Sequence, residues 1–586
     1  MNYELNSEEN KKKISAPAAL KSLWPLMRGE GGTLLYASIA TLANSAVSLT
    51  GPLIIAHIVD TYIATRDMRN VLIYSGILFA LYAFGFLTSY LQTRLMGGVG
   101  QRTLFTLRTN IFSKLQELPV AFFNANKAGD LISRINNDTD KLNQFFSQTL
   151  VQFVGSIVIM IGAGIFLVSI NWQLGLAALA PAGALLIFTR LLSPWVKSRN
   201  ATSLTSTGSL SAEIQESLNN FKVVVAFNRQ DFFRARFDKA NEANYKAAVG
   251  AGIANQTFTP VFGLSSNIAT LVTLAYGTYL ISQGSFTLGL LIGFLGYVNN
   301  FYNPLRQLAA LWANFQVALA GWDRISSILG LRNDMKILPK ENKNTEGASL
   351  LEFKDVSFEY TGGKKVLHDV NFKLEAGKTY ALVGPTGGGK TTTASLMARL
   401  YDPTSGEVLL HGSNIQTVSH AERTKKIGFI LQEPVLFSGT VRENILYGNE
   451  EYKEYTNEQL EKAIHDAGLE TLLTRFDGGL EAKVATTGDA LSLGQKQLIA
   501  FMRAVLRNPE LLILDEATAN IDTVTEQMLE DILKHLPPST TRVIIAHRLN
   551  TIENADEIFF VNGGEVTPAG SMEHAVDMLL HGKRQS

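Results

Sequence analysis

The chain has no cysteine among its 586 residues, which excludes disulfide frameworks, thiolate zinc sites, iron–sulfur clusters and cysteine nucleophiles. It is also poor in charge, with 18% Asp, Glu, Lys and Arg against about 25% in soluble proteins. Neither sign is in excess, at 52 basic and 52 acidic residues, so the basic surplus of a nucleic-acid binder is missing and no nucleic-acid partner is expected. Apolar residues make up 46% of the chain, which excludes a disordered polypeptide. The length exceeds that of one ordinary domain, about 100 to 200 residues, so at least two units are expected.

The charge deficit is local. Four stretches of the first half lack any Asp, Glu, Lys or Arg: Thr33 to Val59, Val71 to Thr93, Leu142 to Thr189 and Ala247 to Leu305. A bilayer core takes about 20 apolar residues per helix, so the first two stretches hold one span each and the last two hold two each. Asn171-Trp172-Gln173 and Gln283-Gly284-Ser285 supply the turns inside the long stretches. Six spans are expected, at about 33–59, 71–95, 146–170, 174–195, 252–281 and 287–315. Soluble core helices are apolar too, but a 59-residue uncharged run does not fit a globular domain.

The segments between spans alternate in length. Arg94 to Lys141 and Arg190 to Lys246 are long and carry many basic residues, among them Arg102, Arg108, Arg134, Arg199 and Arg236. The positive-inside tendency puts these loops in the cytoplasm, and with six crossings the N-terminus, bearing Lys11, Lys12 and Lys13, lies there too. Polar Met1 to Lys13 followed by the brief Ala19 to Arg28 has the wrong order for a secretory signal. Residues 1–30 therefore read as a cytoplasmic segment with an interfacial helix, 31–330 as the membrane domain, 331–349 as a Lys-, Asn- and Glu-rich linker, and 350–586 as a soluble domain.

The soluble half carries the chemistry. Leu350 to Tyr360 and Thr379 to Val383 read as strands. Gly384-Pro385-Thr386-Gly387-Gly388-Gly389-Lys390-Thr391 follows, ahead of a helical pattern from Thr392 to Leu400. This is G-x-x-x-x-G-K-[ST] in the strand-to-helix setting that a phosphate-binding loop requires. Glycines let backbone N–H groups turn onto phosphates, Lys390 bridges the β- and γ-phosphates, and Thr391 ligates Mg²⁺. Leu511-Leu512-Ile513-Leu514-Asp515-Glu516 supplies the second buried strand: Asp515 would hold Mg²⁺ through water and Glu516 polarise the attacking water. Ser492 and Gly494 open another helix, running from about Lys496 to Leu506. By spacing alone that helix start is either an anion site or an ordinary cap.

Over nearly its whole length the chain resembles an ATP-binding cassette exporter half-transporter. The resemblance implies a multi-domain membrane protein, an all-α six-helix transmembrane domain followed by an α/β P-loop NTPase. It also implies ATP and Mg²⁺ as cofactors, ATP hydrolysis that drives multidrug or lipid export across the cell membrane, and a cytoplasmic nucleotide-binding domain. In the family the segment Leu491 to Gln495 completes the ATP site of the opposite subunit, so Ser492, Gly494 and Gln495 contact nucleotide in trans. By the same resemblance Tyr360 stacks on adenine, Thr392 adjoins the phosphates and Gln432 touches Mg²⁺ and water. Asp522 lies in a dimer-contact loop, and His547 contacts the γ-phosphate and holds Glu516 in place. The loops around Leu118 to Phe123, Gly129 to Arg134 and Glu216 to Phe227 resemble those carrying coupling helices.

Two positions depart from the family pattern. Leu493 stands where the signature usually has Gly, and Thr486 where exporters often have Glu. The implied partners are a second half-transporter, identical or not, membrane lipid, and an amphipathic small-molecule, lipid or peptide solute. No acid or base stands at a midspan, which argues against an ion pathway. The rival readings are an ATP-gated channel and a subunit that binds ATP without hydrolysing it.

Overall fold

The computed structural model describes residues 3–5, 24–339, 349–360, 363–485, 491–515, 523–545, 555–570 and 572–581. The chain divides into two compact units, a helical one and a mixed α/β one.

The helical unit is built from long apolar helices: Gly31–His57, Met68–Glu117, Leu150–Ile170, Trp172–Asn219, Gln230–Gln256, Phe258–Ser282 and Leu288–Leu329. Asn171 makes the first turn by capping the next helix, its side chain accepting from Leu174 N. Gly284, at φ +73°, makes the second. By length and composition five helical stretches among the described residues can cross a membrane. Leu288–Leu329 is long enough, but Asn299, Asn300 and Asn303 dilute its apolar surface. Several helices continue far beyond bilayer thickness; Met68–Glu117 runs for 50 residues.

Packing in this unit relies on small residues, as it must where lipid removes the hydrophobic drive between helices. Gly289 and Gly293 let Leu288–Leu329 approach Gly31–His57 so closely that a Cβ would meet Ala56 O at 2.2 Å and Pro52 O at 2.9 Å. Pro52 has no N–H to offer the carbonyl of Ser48, one turn back. Asn300 Nδ2 takes that place, donating to Ser48 O at 2.9 Å. Outward, Leu72, Phe79 and Phe86 stand exposed along one helix, a surface that suits lipid and would be costly in water.

Among the described residues the α/β unit holds twelve strands. The antiparallel sheet has the order β2-β1-β4-β5, formed by β1 (Leu351–Tyr360), β2 (Lys364–Leu374), β4 (Ser405–Leu410) and β5 (Ser413–Asn414). The main sheet has the order β12-β11-β3-β10-β9-β6. Its members are β3 (Thr379–Val383), β6 (Ile427–Ile430), β9 (Leu511–Asp515), β10 (Thr541–Ile545), β11 (Glu557–Asn562) and β12 (Glu565–Pro568). All its pairings are parallel except β11 with β12. The short pair β7 (Gly439–Thr440) and β8 (Lys483–Val484) stands apart. β3 and β9 are buried throughout, which is why they read as unbroken aliphatic runs rather than alternating ones. In an open parallel sheet ligands bind beyond the carboxyl ends of the strands, and the P-loop follows the carboxyl end of β3.

Composition marks 331–349 as a linker, and its described part is bound into this unit. Leu338 N donates to Gln416 O at 2.9 Å, and the buried Arg399 donates to Lys336 O at 2.9 Å. The helix Val120–Ala125, from the loop after the second long helix, belongs to the same unit.

Candidate nucleotide site

Directly after β3 comes Gly384, at φ +147°, where a Cβ would lie 2.0 Å from Val561 O on the neighbouring β11. Gly388 approaches the same carbonyl, its Cβ position 2.5 Å away. Gly389 caps the next helix with a left-handed φ of +117°. The loop thus closes on the sheet as only glycine allows, leaving Pro385, Thr386 and Gly387 as its exposed crest. This handover starts the helix at Lys390, two residues before the position read from the sequence, and it runs to Met397.

Lys390 is buried, and its ammonium donates to Gly384 O at 2.8 Å and Pro385 O at 3.1 Å. These carbonyls hold the charge inside the loop. Thr391 Oγ1 donates to Asp515 Oδ1 at 3.2 Å, joining the P-loop helix to the end of β9. A hydroxyl and a carboxylate form a hard oxygen donor pair that suits Mg²⁺, which needs only one or two protein oxygens beside substrate phosphates. Among the described residues no cluster of three or more His, Cys, Asp or Glu could replace the phosphates with an all-protein cage. The glycine cradle and this donor pair fit a magnesium-bound nucleotide.

Beside the loop, the Tyr360 and Thr392 hydroxyls lie 3.0 Å apart. The Tyr360 ring meets Phe358 edge-on at 4.8 Å and Tyr401 at 5.3 Å. Burial pushes the Tyr360 phenol up from its ordinary value, so the ring stays neutral. A cleft of about 800 Å³ opens here, lined by Phe358, Tyr360, Tyr401 and Asn124 among others. Asn124 donates to the Tyr401 hydroxyl at 2.7 Å. The sequence does not single out Tyr401 or Asn124: they stand 277 positions apart, and no local pattern links them. On the expectation that Tyr360 stacks on adenine, replacing it by alanine removes a face worth ~1–3 kcal/mol per base. KM for ATP should rise about tenfold in a turnover assay, with kcat little changed and Trp restoring affinity.

Ser492 caps the helix Leu493–Val505, which begins three residues earlier than read from periodicity. Gln495 N donates to Ser492 Oγ at 3.1 Å, and Ser492 N to Gln495 Oε1 at 2.9 Å, a reciprocal capping box. Gln495 Nε2 also donates to Arg475 O at 3.0 Å. Within this chain, then, Gln495 stabilises the helix start. The Ser492 hydroxyl, accepting from Gln495, keeps its own proton to donate, and Gly494 stands in the first turn. The Leu493 side chain is 40% exposed. Gln432 is exposed in the turn after β6. Arg503 steadies that segment, donating to Val435 O at 3.0 Å and Asn444 O at 2.8 Å; sequence reading missed this anchor.

Glu516, Asp522, His547 and Thr486 lie outside the described residues. The strand ends preceding two of them are adjacent: β9 and β10 run parallel with Asp515 opposite Ile545. In the chain Glu516 follows Asp515 directly, and His547 comes two residues after Ile545.

A P-loop on a parallel sheet, with its threonine on a strand-end aspartate and long apolar helices in the same chain, defines a membrane protein driven by a nucleotide. Residues 34–305 match the ABC transporter transmembrane region family and residues 367–519 the ABC transporter family. An uncharacterized ABC transporter ATP-binding protein of Bacillus subtilis is 32% identical over 565 residues, 95% of this chain and 92% of that protein. A fatty acid ABC transporter ATP-binding/permease protein of Mycobacterium tuberculosis is 35% identical over 492 residues, 84% of this chain and 77% of its own length. An ATP-dependent lipid A-core flippase of Salmonella typhimurium is 30% identical over 586 residues, covering 98% of this chain and 99% of the flippase. The chain belongs to the ABC transporter family, as a half-transporter of exporter type. It binds ATP and hydrolyses it to drive transport.

Proposed function

We propose that the chain pairs with a second half-transporter in the cell membrane and exports an amphipathic or apolar solute, its N-terminus and nucleotide-binding domain in the cytoplasm. The observation that carries this reading is the Thr391–Asp515 contact beside the enclosed Lys390 ammonium, a preformed site for phosphates and their metal. The names of the relatives point the same way for the solute: fatty acid, lipid A-core and, for a 31% identical protein of Lactococcus lactis, multidrug resistance. Spans without a midspan acid or base agree with an uncharged or amphipathic cargo.

In this reading Lys390 exchanges its carbonyl partners for β- and γ-phosphate oxygens, and residues 384–389 donate backbone N–H groups to the phosphates. Thr391, Asp515 and Gln432 would hold Mg²⁺, which neutralises charge that develops on the phosphates. Tyr360 supports the base and Thr392 flanks the phosphates. Ser492 and Gly494 of the partner face the γ-phosphate from the other side, with Gln495 stiffening that helix start and Asp522 contributing to the cassette contact. ATP therefore favours the closed pair through contacts that only the closed pair makes. Glu516 takes the proton of the attacking water and His547 holds both in place. Loss of the γ-phosphate releases the pair.

Leu493 puts a branched side chain where the partner's phosphate contact is made by backbone, which favours a non-identical partner with a complementary signature. Affinity purification of the tagged chain from its native membrane, followed by mass spectrometry, tests the pairing: a second half-transporter should copurify. With the recovered complex in sealed vesicles, ATP turnover stimulated by a cargo and uphill accumulation of that cargo are expected. Ion current without accumulation would replace the pump by a channel.

A further inference from the structure

Tyr3 to Leu5 are tightly held, and Tyr3 shares the lining of the cleft beside Tyr360. Tyr3 is 2% exposed and Leu5 4%. The Asn126 side-chain amide brackets the backbone between them: Nδ2 donates to Tyr3 O at 2.8 Å, and Oδ1 accepts from Leu5 N at 3.1 Å. The same Nδ2 donates to Phe122 O at 2.8 Å, so one amide ties the segment to the helix Val120–Ala125. The Tyr3 ring stands edge-on to the fully buried Phe122, centroids 6.4 Å apart. At its far end the Tyr3 hydroxyl donates to the Asp334 carboxylate and accepts from Asp334 N at 3.3 Å. Burial first, and then the hydrogen bond to Asp334, push this phenol up, so it remains a donor. Asn333 Nδ2 adds a bond to Glu117 O at 2.7 Å. The helix gripped in this way carries Asn124, which donates to Tyr401 beside the Tyr360 ring.

We propose that Tyr3 to Leu5 form a strap, with Tyr3 as a positioning residue, that fixes the helix Val120–Ala125 against the segment Arg332–Asp334 so that nucleotide-driven closure is passed on to the membrane helices. The proposal rests on reading Val120–Ala125 as the coupling element. Asn126 binds the backbone of the strap and is indifferent to sequence; Tyr3 supplies the side-chain anchor at both ends. Without the strap the helix loses its fixed angle, while the Lys390 and Thr391–Asp515 contacts of the P-loop do not involve Tyr3. ATP turnover and switching of the membrane helices should then separate.

The absence of cysteine makes the test clean. Thr65→Cys and Gln283→Cys, both exposed at helix ends, carry spin labels on the full-length protein in lipid vesicles with its partner. The label distance is measured with and without ATP and vanadate. At saturating ATP, Tyr3→Ala should lower the fraction of molecules that switch at least threefold, with kcat for ATP turnover within twofold. Tyr3→Phe, which keeps the ring against Phe122 and loses only the Asp334 bond, should show a smaller loss. An unchanged switched fraction in Tyr3→Ala overturns the strap, as does a parallel fall of turnover, switching and melting temperature. Asn124→Ala separates the two levels. If it uncouples while the Tyr3 variants do not, the strap fails alone; if neither uncouples, the coupling-element reading fails with it.

Discussion

Lys390→Ala should reduce ATP turnover by about 10² to 10³, the loss of one preorganised charge-stabilising contact at the transition state, ~2.7–4 kcal/mol. Lys390 is 5% exposed and its ammonium rests on the Gly384 and Pro385 carbonyls, already desolvated at the loop proposed to wrap the phosphates. The interaction is therefore strong, and no reorganisation is needed when charge develops. Arginine should not rescue. Its planar fork needs room for several donors, whereas the loop is closed by Gly388, whose Cβ would lie 2.5 Å from Val561 O. Alanine takes the ammonium from Gly384 O, while Pro385 O keeps the Gly388 N–H at 3.1 Å, so some loss of stability is expected as well, about 1–3 kcal/mol. Nucleotide binding and melting temperature, measured beside turnover, separate the two effects. Turnover within tenfold of the unaltered protein would mean that Lys390 holds the loop together and does not serve the phosphates.

The parts of the site that were legible in the sequence are contiguous. Gly384 to Thr391 could be read because a buried strand, a glycine turn and a helix start follow one another within a dozen positions, and Asp515 because its strand is uniformly aliphatic. Helix ends were displaced for a local reason: Gly389 hands over directly to Lys390, and Ser492 with Gln495 makes a capping box, so both helices begin earlier than hydrophobic periodicity can register. Contacts made across the fold left no such trace. Tyr401 reaches Asn124 over 277 positions and Tyr3 reaches Asp334 over 331, and neither pair has a spacing to detect. The composition of the linker Leu331 to Pro339 likewise does not show that its Lys336 carbonyl binds Arg399. In the membrane half, charge-free runs reveal a span. They do not reveal that Pro52 frees the Ser48 carbonyl for Asn300.

Glu516→Gln should abolish steady-state turnover, a fall of about 10² to 10⁴ typical of losing a general base, while ATP affinity stays within a few-fold. The amide is nearly isosteric and keeps a carbonyl to orient water, but it cannot accept the proton. The γ-phosphate should therefore persist, and with it the contacts proposed to hold the cassettes together, so nucleotide should remain bound through gel filtration. Asp515→Asn is the contrasting case. That side chain sits 2% exposed at the end of β9 and accepts from Thr391 Oγ1, and in the proposed mechanism its charge holds the metal. Its loss should weaken magnesium-dependent nucleotide binding as well as turnover. Two neighbouring carboxylates thus give opposite binding phenotypes, retention at Glu516 and release at Asp515. Equal weakening of binding by both would assign Glu516 to the metal and leave the proton acceptor to be sought elsewhere, with His547→Ala as the next variant to measure. Unchanged turnover in Glu516→Gln would remove it from the chemistry altogether.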